Sequence, residues 1–181
     1  MACNLYTLSG LDDSCKSPSF GGIKAVYVAP SDDIASVAVD SQTDMLTPTM
    51  ASGKKFKEYR LLKNTGALTS TLNVSDTSAN YFTSECTLQF MKLETKKRQE
   101  IMNLLLSSCA VIVEDANGKY WYLGKDMPVE ASAASAQTGT AFSDSNHYEL
   151  TLADTSYELP YEVSAAVMSS IVDELPSDNN F

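Results

Sequence analysis

The side chains able to do chemistry are few and scattered. His147 is the only imidazole in 181 residues, so a Ser or Cys nucleophile would depend on it as base. Its neighbours Asp144, Ser145 and Asn146 lie too close along the chain to converge on one substrate, and a histidine between a loop and a strand reads as polar surface. Four cysteines, Cys3, Cys15, Cys86 and Cys109, lack the CxxC spacing of a zinc site and read as reduced thiols. The pairs Asp12-Asp13 and Asp32-Asp33 lack the Asp-x-Asp-x-Asp-Gly frame of a calcium loop. Gly21-Gly22 leads into a strand, not into a helix N-terminus that could cradle phosphate. The triplet Tyr120-Trp121-Tyr122 could stack a base or a sugar, but strand aromatics beside a tight turn pack on their sheet more often. No catalytic residue, metal ligand or cofactor contact is expected, and the weakest functional reading is an enzyme built on His147.

Charge is more informative. The formal net charge is −10, which disfavours a general nucleic-acid binder. From Asp126 to Phe181 there are ten carboxylates and no Lys or Arg, whereas nine of the thirteen cations fall between Lys54 and Arg98. This separation makes the subunit an electrostatic dipole, suited to meeting copies of itself head against tail. The N-terminus MACNLYTLSG lacks the basic region and apolar run of a signal peptide, and no apolar run is long enough to cross a membrane.

These groups need elements to position them. Ile23 to Ala29 and Ile34 to Asp40 read as strands around a turn at Pro30 to Asp33, and Ser41 to Gly53 reads as a loop. Lys54 to Lys63 and Ala67 to Val74 read as a hairpin turning at Asn64-Thr65-Gly66, with Leu68, Leu72 and Val74 facing one way. Phe82 to Phe90 has the cleanest period-two pattern, one face core and one wet. Glu94 to Ser107 is the convincing helix, with Ile101, Leu104, Leu105 and Ser108 on one side. Lys96, Lys97 and Arg98 lie near the positive end of its dipole, which is locally unfavourable. Their two readings are a solvated face and a contact with acidic residues of a neighbour.

Ala110 to Gly124 reads as two strands around Asn117-Gly118, a pair that suits a type I′ turn, with Tyr120 and Tyr122 on one face and Trp121 and Leu123 on the other. Residues 131–146 are almost all small and polar, and read as a long loop or arm. Tyr148 to Ala153 and Tyr157 to Val163 read as a second hairpin, with Pro160 placing the latter at an edge. Ser164 to Leu175 reads as a helix stopped by Pro176. The expected fold is mainly β (α+β): an antiparallel β-sandwich or barrel with one packed central helix, in a single domain spanning 1–181. An N-terminal arm at 1–22 and a C-terminal extension at 164–181 flank it.

From Phe90 onward, the order helix, strand, NGKYWYLG, ASAASAQTGTAFSDSNHYELTL, ELPYEV resembles virion proteins of tailed phages of Bacteroides, including the ring proteins of crAss-like phage tails. The likeness extends back through MASGKKFKEYRLLKNTGALTSTLNV and covers about residues 20 to 163. It implies a tail-tube-type fold and a homo-oligomeric ring of the tail or neck, made in the host cytoplasm and carried in the virion. Partners would be other tail, neck or portal-associated proteins, with DNA passing through the lumen unbound. The resemblance carries over no individual residue, because such proteins work through surfaces.

A cyclic ring needs two different complementary patches on each subunit. The basic candidates are Lys54, Lys55, Lys57, Arg60, Lys96, Lys97 and Arg98. The polar and acidic candidates are Gln137, Thr138, Asp144, Glu149, Asp154, Glu158 and Glu162. Acidic residues in the lumen would let DNA slide, since a cationic wall would hold phosphate. The alternatives are a capsid decoration or head-completion protein, and a β-sandwich glycan- or receptor-binding module using Tyr120, Trp121 and Tyr122.

Overall fold

The computed structural model describes residues 10–11, 18–77 and 79–173. Most of the expected N-terminal arm, with Asp12-Asp13, and the end of the expected C-terminal helix, with Leu175, lie outside them. Over the described residues the chain is mainly β, with two sheets and two α-helices.

The larger sheet begins with β1 (Ile23–Pro30) and ends with β12 (Val172–Asp173). Between them it takes β2 (Ile34–Val39), β3 (Leu46–Met50), β4 (Phe56–Arg60), β7 (Cys109–Asp115), β8 (Tyr120–Leu123) and β11 (Tyr161–Val163). Their spatial order is β12-β4-β1-β7-β8-β11-β3-β2. The smaller sheet, in order β5-β6-β10-β9, holds β5 (Gly66–Asn73), β6 (Tyr81–Met91), β10 (His147–Ser156) and β9 (Glu130–Gln137), all antiparallel.

The central strands β1 and β7 are buried on both faces, which explains their unbroken apolar runs. On one face Val26, Val28, Val111, Val113 and Leu123 pack against Cys86, Leu88, Leu150 and Leu152 of the smaller sheet. Leu104 of α1 (Thr95–Leu105) joins this core. On the other face Tyr27, Phe56, Ile112, Tyr122 and Val163 form a second core with Met168 and Ile171 of α2 (Ala165–Ile171).

Several expectations are corrected. The stretches around Asn64-Thr65-Gly66 do not pair: β4 joins β1 in the larger sheet, while β5 crosses to β6 in the smaller. Of the side chains expected to share a face there, Leu68 is half-buried and Leu72 and Val74 are exposed. Nor do β10 and β11 form a hairpin, and β11 is interior, between β8 and β3, with Pro160 just before it. The expected loop 41–53 contains β3, whose Leu46 and Pro48 point inward. The expected long arm at 131–146 is half strand: β9 runs to Gln137 and only 138–146 is loop. The C-terminal helix is short, ending at Ile171.

The Asn117-Gly118 turn forms, but Gly118 alone carries a positive φ, so it is not type I′. The Gly118 N–H reaches Asp115 O at 3.2 Å and the Asp115 N–H reaches Lys119 O at 2.9 Å. This is a three-residue loop closing through a left-handed glycine.

Candidate functional site

Among the described residues the smaller sheet has two unpaired edges, β5 and β9, each of eight residues. Neither is blunted by proline or by a run of charge, although β9 carries a bulge between Ala131 and Ala133. β5 (GALTSTLN) contains no charge and no proline, and β9 (EASAASAQ) has only the leading Glu130. Ala and Ser have little intrinsic strand preference, so β9 is extended because β10 pairs with it, through Leu150↔Ala134 and Glu149↔Ser135.

The outward face of this sheet is a field of small polar groups. Cross-strand pairing puts Thr69, Glu85 and Ala153 in one row, and Thr87 with Thr151 and Gln89 with Glu149 in adjacent rows. The Gln89 amide donates to Glu149 at 2.8 Å. No Lys or Arg lies in any of the four strands.

The ends of the sheet differ in charge. At the Met91 end of β6, residues 91–98 and 138–146 bring Lys92, Lys96, Lys97 and Arg98 together with Glu94 and Asp144. At the Tyr81 end, residues 74–77, 79–81, 124–127 and 154–158 bring Asp76, Asp126, Asp154 and Glu158 together with Lys125.

Many of the expected contact residues are tied within the subunit. Lys54 pairs with Asp33 at 3.1 Å, Lys57 with Asp173, and Arg60 with the buried Glu58 at 2.6 Å. Lys97 donates to Met91 O at 2.7 Å and lies 3.5 Å from Glu94. Glu162 pairs with Lys119 at 2.6 Å, and Glu158 accepts from Lys125 and from the Tyr161 hydroxyl, both at 2.5 Å. Those donors hold the Glu158 carboxyl below its ordinary range. Thr138 donates to Gly139 O at 3.2 Å. Lys55 lines a charged cleft beside α1 with Lys54 and Lys57, and Lys96 and Arg98 stand in the first turn of α1.

Two residues depart from their expected roles. Asp154 is not a surface carboxylate: it is 4% exposed and faces the core between the sheets. Its Oδ2 accepts the Gly124 N–H at 3.1 Å, while Oδ1 is buried without a partner. Burial, with Asp126 nearby, raises its pKa. His147 is not polar surface but 5% exposed. Its Nδ1 meets Ser145 Oγ at 2.8 Å and its Nε2 meets the Gln137 amide at 2.9 Å. The pair resembles a Ser–His dyad, but an amide stands where a triad has a carboxylate. Its visible work is to clasp both sides of loop 138–146.

Asp144 shapes that loop. Its carboxylate accepts the N–H groups of Thr140 and Ala141, both at 2.8 Å, which lowers its pKa. The Asp144 N–H returns to Ala141 O at 3.0 Å, leaving Phe142 at the apex and fully exposed. Sequence reasoning missed this aromatic, although a lone Phe in a run of small residues was a visible signal.

Of the aromatic triplet, Tyr122 is buried, and Tyr120 packs on Tyr27 with ring centroids 6.2 Å apart. Trp121 is half-buried, its indole N–H donating to Asp115 at 3.3 Å. Among the described residues no cluster of three or more His, Cys, Asp or Glu side chains could hold a metal, and no helix is long and apolar enough to cross a membrane. No protein-family model, curated protein or solved structure matches the chain.

Proposed function

We propose that this protein is a structural virion subunit of a tailed phage that closes into a homo-oligomeric ring of the tail or neck and lines the conduit for the genome. The observation that carries the reading is the pair of edges, β5 and β9, left unpaired among the described residues. They are equal in length, and the strands between them alternate in direction. Setting β5 of one subunit against β9 of the next therefore continues the antiparallel order. Each contact is heterologous, so repetition with closure gives a ring and removes every open edge of this sheet.

The lumen in this reading is the outward face of the smaller sheet. Threonines with Glu85 and Glu149, and no cation, would repel phosphate weakly and release it freely. The cations at the sheet's Met91 end lie off this wall. Tail, neck or portal-associated proteins would meet the ring above and below.

Electron microscopy of the purified protein should show closed rings. A protein that stays monomeric at high concentration overturns the proposal. The glycan-binding alternative keeps one support: Phe82, Trp121, Tyr157 and Tyr161 line an open groove of about 700 Å³. Glycan binding that is lost in Trp121→Ala while the oligomer persists would favour it.

A further inference from the structure

Phe142 is the most exposed aromatic side chain of the described residues, yet the loop that carries it is built to hold it. Asp144 closes the turn beneath it, and His147 clasps Gln137 and Ser145 at the loop's two ends. Asn146 fastens the loop to the start of α1, accepting the Lys92 N–H on its carbonyl at 2.7 Å and the Leu93 N–H on its side chain at 2.9 Å. A solvated loop needs no such scaffold around a bare phenyl ring.

At the other end of β10 the surface has the matching hollow. Ala79, Tyr81, Met127 and Tyr157 line an apolar pocket of about 280 Å³, with Asp126 at its rim. The rim is fixed, since Asp126 accepts the Tyr157 N–H at 3.0 Å. The volume equals that of roughly nine waters at ~30 Å³ each, room for a single phenyl group. Knob and hollow are separated by the ten residues of β10, about 30 Å of strand, and cannot meet within one subunit. Their surroundings are complementary in charge. The knob end carries Lys92, Lys96, Lys97 and Arg98 against Glu94 and Asp144, a positive surplus, and the hollow end carries Asp76, Asp126 and Glu158 against Lys125, a negative one.

We infer that Phe142 of one copy of this chain seats in the Tyr81–Met127–Tyr157 pocket of the next, stacking subunits head to tail along the β10 direction. The contact joins two different patches and does not close on itself, so it propagates as a stack. The inference deepens the ring reading and rests on it only for the claim that the stacked units are rings. It also gives the chain's charge asymmetry a use, in registering one end against the other.

The test is site-directed crosslinking of the full chain at assembly concentration. With Cys3→Ser and Cys15→Ser as background, Ser143→Cys beside the intact Phe142 and Ala79→Cys at the pocket are combined and treated with a short bis-maleimide. A ladder of covalent multimers is expected, absent when either new cysteine is used alone. No ladder overturns the inference, even where rings are seen. A ladder without rings leaves the stacking contact standing and removes the ring reading.

A second variant, Phe142→Ser, replaces a side chain with no support inside the subunit and should keep the wild-type urea midpoint. It should weaken stacking by about 10- to 100-fold, the worth of burying one such ring. Wild-type stacking in Phe142→Ser would equally overturn the inference.

Discussion

Replacing Asp154 by Asn should make the protein more stable at neutral pH and flatten its pH dependence. Asp154 lies on β10 opposite Ser84, inside the sandwich, with one oxygen held by the Gly124 N–H and the other buried without a partner. Burial raises its folded-state pKa above the unfolded value near 4. The folded chain therefore binds this proton more tightly than the unfolded chain. The resulting stabilisation is complete below the unfolded pKa and is lost as pH rises through the folded pKa. A buried polar group without a partner costs about 1–3 kcal/mol, more if charged. The Asn oxygen can keep the Gly124 bond, and its NH2 inherits the unpartnered position without the charge. A net gain of about 1 kcal/mol near pH 7, and none near pH 4, is expected. Urea unfolding across that range reads it as a midpoint rise of ~0.3–1 M at neutral pH. A variant that is less stable at pH 7, or that keeps the wild-type slope with pH, would refute the reasoning.

Leu150→Ala, which opens a cavity at a fully buried position between the sheets, should cost about 2–5 kcal/mol in the same assay. Gly124→Ala should cost about 2 kcal/mol. Its φ is 96°, and a Cβ there would sit 3.2 Å from the Cys109 carbonyl oxygen. The Cys86 thiol, pushed up to about 12 by burial, should resist thiol reagents in the native protein at pH 8 and react on unfolding. Rings carrying Glu85→Lys with Glu149→Lys should retain single- or double-stranded oligonucleotides at low salt and release them as salt rises, whereas wild-type rings should retain none.

The parts of the fold legible in the sequence were those whose local pattern matches their environment. β6 alternates because Ser84, Cys86 and Leu88 face the core while Glu85 faces out, and β1 and β7 are continuous apolar runs because both faces are covered. The helix over α1 was equally legible, with Ile101 and Leu104 buried at helical spacing. Pairing was not legible, because adjacency along the chain does not say which sheet the next strand joins. The five residues between β4 and β5 carry the chain across the sandwich, and Asn64 there takes a positive φ of 64°. Strand β9 was missed because Ala and Ser carry little preference of their own, and β3 because Pro48 and the polar run around it read as loop although its threonines suit a strand. The burial of Asp154 and His147 was also invisible, since it depends on partners 30 and 10 residues away, Gly124 and Gln137. The charge split was visible from the start. Folding shows much of it neutralised within the subunit, with the remainder divided between the two ends of one sheet.

The central claim is that β5 of one subunit completes the sheet at β9 of the next. It is tested most directly by light scattering of wild-type protein beside an Ala133→Lys/Ser135→Lys variant. Both positions are exposed, and Ser135 lies opposite Glu149, so the charges are tolerated within the subunit but block pairing along the edge. The account predicts a closed multimer for the wild type and a monomer with the same urea midpoint for the variant. A variant that assembles as the wild type does would contradict it.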